Sequence, residues 1–151
     1  MTSVYRLVRR ERAADALSGE GARRYGGRWN PPGSAVVYAS ESRALAVLET
    51  FVHLTLEARV MAFVLFTLEL PGRALLRRRA DARPPRSVTA SQEAGRTWLE
   101  DGDTLGLVVP SLIVPQEKNY VLNVAHPQFA GVTVAGAEPF SFDERLWHAQ
   151  S

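Results

Sequence analysis

Cysteine is absent from this 151-residue chain, which excludes disulfides, thiolate metal sites and a cysteine nucleophile outright. Histidine is almost as scarce: His53, His126 and His148 stand far apart without ligand spacing, so no metal is expected. No run approaches the roughly 20 apolar residues of a membrane helix, and the N-terminal MTSVYRLVRR lacks the apolar centre of a signal peptide. The expectation is a soluble, cytoplasmic protein. Lysine is reduced to Lys118 alone, so arginine supplies all the rest of the 18 cationic side chains, for a net charge of +2. The planar guanidinium fork suits phosphate and carboxylate recognition better than the point charge of lysine, although a coding bias towards Arg and Ala accounts for most of these residues equally well. With 46% hydrophobic and 23% charged residues, the composition suits one globular domain, residues 1–151, around a real core.

The chain is organised around Arg23 to Leu54, RRYGGRWNPPGSAVVYASESRALAVLETFVHL. Tyr25 to Gly33 cannot be regular structure, because paired glycines invite positive φ and paired prolines remove donors and fix φ. Val36-Val37-Tyr38-Ala39 is suited to a short strand, and Ser40 is placed to cap a helix with Glu41 in its first turn. On that helix Leu45, Leu48 and Val52 form the expected core stripe, with Ala44 and Phe51 beside it. Glu49 lies four residues beyond Leu45 and three before Val52, a flank that leans toward the packed side. A carboxylate there is costly unless paired or used; the plain alternative is a Glu at the edge of the stripe reaching water or an arginine.

Elsewhere, Val4 to Val8 reads as a first strand with Tyr5 and Leu7 on one face and Arg6 on the other. Glu11 to Leu17 reads as a short helix closed by Ser18-Gly19. Val60 to Leu70 favours a buried strand. Arg73 to Arg86, RALLRRRADARPPR, is charge-dense but holds no aromatic residue on which a base could stack; it reads as a solvated connection, with a polyanion contact as the alternative. Ser91 to Asp101 predicts a helix that buries Trp98 and Leu99 and ends at Gly102. Val108 to Pro115 reads as a strand interrupted at Pro110. Ser111 follows that irregularity; it lacks a glycine elbow and an evident His and acid pairing, so a bulge-side hydrogen bond is its plain role. Tyr120 to Val124, Val132 to Val134 and Phe140 to Phe142 are further strand candidates.

These residues describe a mixed α/β domain, strand-rich in its second half, with polar residues at loop and strand ends. Taken together they also resemble the RES domain, named for its arginine, glutamate and serine and known as the toxin half of bacterial toxin–antitoxin pairs. The resemblance is carried by Val4-Tyr5-Arg6; by Gly19 to Arg23 followed by Gly26-Gly27-Arg28-Trp29-Asn30; and by Val37-Tyr38-Ala39 and Leu45 to Glu49. It continues through Val109-Pro110-Ser111, Asn119 to Asn123, His126-Pro127 and Phe142 to Leu146. These motifs stand in the family's order and span nearly the whole chain.

The resemblance implies an α+β, ADP-ribosyltransferase-like fold with a mixed, mostly antiparallel sheet and flanking short helices. NAD would bind in a cleft as substrate, with no prosthetic group, and lose its nicotinamide. It implies Arg28, Tyr38, Glu49 and Ser111 as catalytic positions, and Arg6, Trp29, Asn30, Asn119 and His126 as substrate-binding positions. Breaking a bond to a cationic nicotinamide releases a neutral leaving group, so no general acid is needed and one carboxylate can suffice. The acceptor stays open among water, phosphate and a protein side chain, with NAD depletion and growth arrest favoured over protein ADP-ribosylation. The implied partner is a cognate antitoxin with a DNA-binding helix-turn-helix region; neither membrane nor direct nucleic-acid binding is expected. A non-enzymatic nucleic-acid-binding module using Arg73 to Arg86 is the competing class.

Overall fold

Seven strands form one sheet in the computed structural model, which describes residues 2–148. They are β1 (Ser3–Arg9), β2 (Val36–Ser40), β3 (Phe63–Glu69), β4 (Leu76–Arg78), β5 (Gly106–Pro110), β6 (Lys118–Asn123) and β7 (Thr133–Phe140). Their spatial order is β4-β5-β6-β2-β1-β3-β7. Only β4 and β5 run parallel, and the α-helices are α1 (Glu20–Tyr25), α2 (Arg43–Phe51) and α3 (Val88–Asp101). This is the α+β, mostly antiparallel architecture expected. No helix among the described residues is long and apolar enough to cross a membrane.

Strand alternation sorts the core. Val4, Val37, Ala39, Leu68, Val108, Tyr120 and Leu122 fill one face of the sheet. The other face carries two separate apolar clusters: Trp29, Val36, Leu107, Val109 and Val121 with Trp98 of α3, and Leu7, Phe63, Leu65 and Phe142 with Ala46 of α2. Between them the sheet is split. Strand β1 pairs with β3 along its whole length, from Ser3↔Glu69 to Arg9↔Phe63, but it meets β2 only at Tyr5↔Ser40. Splayed strands leave backbone groups without ladder partners. Arg6 reaches into the gap, donating from Nη1 to the Tyr38 carbonyl at 2.8 Å and from Nε to the Ala16 carbonyl at 2.9 Å.

Several local expectations need correcting. Ser42, not Ser40, caps α2, its Oγ accepting from Leu45 N at 3.1 Å. Ser40 is held in the ladder by Asn119 and Tyr5, so Glu41 precedes the helix and its carboxylate accepts from Lys118 N at 3.0 Å instead. The buried face of α2 is Leu45 and Ala46, while Leu48 and Val52 are 36% and 56% exposed. A helix that lies close to β1 presents its small side chain to the sheet, which turns the bulkier residues outward. The first helix is a 3-10 helix, Arg10–Asp15, and α1 starts afresh after Gly19. Gly19 has φ 68°, and a Cβ there would meet Val36 N at 2.9 Å, so the chain turns tightly against β2. Val60 lies outside β3, and the two C-terminal strand candidates merge as β7. Strand β5 stops at Pro110 because Ser111 Oγ accepts from the amides of Ile113 and Val114, both at 3.0 Å, and closes a turn there.

Helix α3 ends at Gly102 as its sequence suggests, but it begins at Val88 rather than Ser91, and of Trp98 and Leu99 only Trp98 is fully buried. Ser87 Oγ accepts from Ala90 N at 3.0 Å at one end, and Gly102 terminates the other with φ 65°. Its Gly95 lies so close to the glycine-rich loop that a Cβ would sit 1.5 Å from the Trp29 carbonyl oxygen. Three residues earlier, Gln92 Nε2 donates to the Gly27 carbonyl at 2.9 Å. Loop and helix therefore form one unit. In the Arg73 to Arg86 connection, Arg77 pairs with Asp101 at 3.1 Å and Arg79 with Asp81 at 2.9 Å, so two of its six arginines are locally answered.

Candidate active site

A cleft of about 740 Å³ opens at the split between β1 and β2, and Arg6, Arg28, Tyr38, Ser40, Glu49 and Asn119 all line it. Glu49 reaches it from the buried flank of α2, one turn beyond Leu45 and Ala46. One carboxylate oxygen is fixed: Oε1 accepts from Ser111 Oγ at 2.6 Å and from Asn119 Nδ2 at 2.9 Å. Because Ser111 Oγ already accepts two amides, its single proton is directed at Glu49. Oε2 accepts no hydrogen bond from the described residues, which leaves it for a ligand. Asn119 is fixed in turn by Ser40 Oγ, which donates to its Oδ1 at 2.7 Å.

Arg6 and Arg28 line the same cleft. Burial pushes the Arg6 guanidinium down to about 10, still well above neutrality, so it remains a cation. Arg28 is held by its Nη2 donating to the Pro85 carbonyl, and its Nε is buried without a partner. The ion pair that a purely structural Arg28 would show does not occur among the described residues. Arg12 and Arg24 also line the cleft, Arg24 already paired with Glu20 at 3.3 Å. The arrangement juxtaposes fork-shaped cationic donors with one clamped carboxylate. It suits a ligand that is anionic in one part and becomes electron-poor in another.

Tyr38 presents its side chain to the cleft with both functions of its hydroxyl engaged: the oxygen accepts from Trp29 N at 2.9 Å and the proton goes to Asn30 Oδ1 at 2.6 Å. Burial pushes this phenol up, so it stays neutral, and its ring is the part left for a ligand. Ser111 is fully buried and bears on the cleft only through Glu49.

Trp29, Asn30 and His126 do not line the cleft. Trp29 is a core residue, with the Arg79 guanidinium 5.3 Å from its ring centroid. Asn30 is wholly buried and ties the loop together by donating to the carbonyls of Ala22 at 3.0 Å and Pro31 at 3.1 Å. His126 caps the 3-10 helix Pro127–Gly131, its Nδ1 accepting from Gln128 N at 3.1 Å. A side chain that satisfies a helix start ahead of a proline has little left for substrate. Tyr5, Thr50 and His53 also line the cleft, as does Ser40, whose sequence context suggests only a helix cap. The signal for Ser40 was present, since two residues after Tyr38 on a strand is the same face.

A family model described as "RES domain" matches residues 3–143. "Toxin Res" of Yersinia enterocolitica is 36% identical over 150 residues, covering 95% of this chain and 98% of that protein. "Prs ADP-ribosylating toxin" of a Sphingobium strain is 38% identical over 157 residues, with 96% of each chain covered. "NAD(+) phosphorylase MbcT" of Mycobacterium tuberculosis is 35% identical over an alignment of 102 residues that covers 61% of this chain and 48% of MbcT. The crystal structure of the M. tuberculosis MbcT-MbcA toxin-antitoxin complex shares the fold, with a TM-score of 0.73 at 23% identity over 93% of this chain and 84% of that one.

Proposed function

This chain belongs to the RES domain family, and from that premise we propose that it is the toxin of a toxin–antitoxin pair that breaks the nicotinamide–ribose bond of NAD. The observation that carries the reading is Glu49, clamped through Oε1 by Ser111 and Asn119 with Oε2 free at an arginine-lined cleft. Arg6 and Arg28 grip the pyrophosphate through their remaining N–H groups, and the ring of Tyr38 supports the nicotinamide. As the glycosidic bond breaks, its electron pair goes to the ring nitrogen and neutralises the pyridinium. The ribose is left as an oxocarbenium-like centre, which the Glu49 carboxylate stabilises while it accepts from a ribose hydroxyl. Phosphate or water then bonds to the anomeric carbon; water releases its extra proton to solvent.

The favoured outcome is depletion of cellular NAD in the cytoplasm by phosphorolysis or hydrolysis, in keeping with the NAD(+) phosphorylase activity for which MbcT is named. A second reading, transfer to a protein side chain, draws on the full-length relative named for ADP-ribosylation. The partner is a cognate antitoxin, with a helix-turn-helix region expected, that covers the cleft. A nucleic-acid module is disfavoured by the answered charges at Arg77 and Arg79.

Nicotinamide release from NAD by the purified protein, with and without phosphate, tests the proposal. Glu49→Gln keeps the shape and loses the charge; turnover should fall by about 10²–10³-fold, the scale of a lost electrostatic group at a reacting centre, with KM little changed. Wild-type turnover by this variant would falsify the role of Glu49. Incorporation of label from adenylate-labelled NAD into protein, with release only when that protein is present, would select the second reading.

A further inference from the structure

Ser40 carries no role in the chemistry above, yet it is the one β2 residue paired on both sides, with Tyr5 of β1 and Asn119 of β6. It therefore sits where the split in the sheet closes. Its side chain is 3% exposed in relative area for the residue as a whole. A serine hydroxyl has one proton, and that proton lies on Asn119 Oδ1 at 2.7 Å.

An asparagine amide is nearly symmetrical in shape but opposite in polarity at its two ends. Packing alone does not decide which end of Asn119 faces Glu49; hydrogen bonding does. The carboxylate only accepts and so takes Nδ2, which donates at 2.9 Å. Ser40 reinforces that choice from the far end, because Oδ1 is the one acceptor its buried proton has among the described residues. Turned over, Asn119 would set Oδ1 against a carboxylate oxygen, with lone pairs facing lone pairs. The carboxylate would then keep only Ser111 and could rotate.

We propose that Ser40 is a positioning residue whose hydroxyl holds the Asn119 amide in the polarity that Glu49 requires, and through it the orientation of Glu49. Its catalytic consequence rests on the NAD-cleaving reading; the amide polarity itself does not.

The experiment uses the full chain and the variants Ser40→Ala, Ser40→Thr, Asn119→Ala and the Ser40→Ala/Asn119→Ala double. Ser40→Ala should lower kcat for nicotinamide release by about tenfold, the scale of one lost hydrogen bond to a charged network, while KM stays within about twofold. Ser40→Thr, which keeps the donor, should restore the rate. In the Asn119→Ala background the serine change should add nothing, because its route to Glu49 is already gone. Wild-type kcat in Ser40→Ala, no rescue by threonine, or an equal further loss in the double variant would overturn the proposal.

A second readout needs no turnover. The side-chain amide protons of Asn119, followed by NMR, should be shifted and slow to exchange in the wild type and in Ser40→Thr, and should move toward free-amide values in Ser40→Ala. An unchanged Asn119 signal in Ser40→Ala would overturn the proposal even if NAD proves not to be the substrate. Loss of the signal in a protein that releases no nicotinamide would uphold the polarity argument and remove only the NAD reading. If the alanine variant melts early, Ser40→Cys, close in size but a weak donor, takes its place in both measurements.

Discussion

Tyr38 joins strand β2 to the glycine-rich loop through a hydroxyl that both accepts from Trp29 N and donates to Asn30. Tyr38→Phe leaves a backbone amide and a buried side-chain oxygen without partners, which should cost about 1–3 kcal/mol in denaturant unfolding. The pH dependence has a definite sign. Because burial holds the folded phenol above the ordinary tyrosine value of about 10, its contribution is complete below that pH and is lost as pH rises through the folded value. Tyr38→Phe should show a shallower alkaline decline, read from unfolding midpoints across the alkaline range. At this scale the helical spacing already placed Glu49 on the packed side of its helix. It did not reveal the serine that clamps it, because Ser111 lies 62 residues away and nothing local in VVPSLIV points to a carboxylate. From the strand irregularity at Pro110, Ser111 reads only as a bulge-side hydrogen bond; its place in the active site enters with the family resemblance. His126 shows the converse: a matching motif position whose two ring nitrogens are both taken, Nδ1 by capping a turn and Nε2 by the Asp103 carbonyl at 3.3 Å.

The contact between α3 and the glycine-rich loop puts helix propensity and sterics in direct opposition at Gly95. On propensity alone Gly95→Ala stabilises a helix by about 1 kcal/mol. A Cβ 1.5 Å from the Trp29 carbonyl oxygen cannot be accommodated by rotating a side chain, and overpacking of this kind costs about 1–3 kcal/mol or more. Sterics should win, with a lower melting temperature and weaker NAD binding as the loop bearing Arg28 is displaced. A melting point at or above wild type would contradict this. Helix α3 itself was legible because Trp98, Leu99 and Gly102 stand at helical spacing with a terminator. The register of α2 was not, because SESRA offers two serines as caps and only the ladder partners of Ser40 decide between them. The same holds for its stripe. Leu48 and Val52 satisfy the periodicity as well as Ala46 does, and only the nearness of β1 turns them outward.

Across the whole molecule, the site is assembled from distant parts of the chain. Strand β2 has β1 on one side and β6 on the other, so Tyr38 and Ser40 lie beside residues made some eighty positions later, and Glu49 depends on Ser111 and Asn119. A fragment ending at Thr104 carries Arg6, Arg28, Tyr38 and Glu49 but lacks β5, β6 and both partners of the carboxylate. It should release no nicotinamide even at high concentration, and activity from that fragment would show the clamp to be dispensable. Sequence alone could not supply this arrangement, since the pairing of β2 with β6 is set by tertiary packing rather than by any turn between them. The same topology also acts as a clock. Chains emerge N-terminus first at about 5–20 residues per second, so a delay of roughly 4 to 14 s separates the appearance of Glu49 from that of Asn119. On the proposed activity, a nascent chain that has not yet reached Asn119 lacks the clamp on Glu49, and those seconds are a window in which it should consume no NAD.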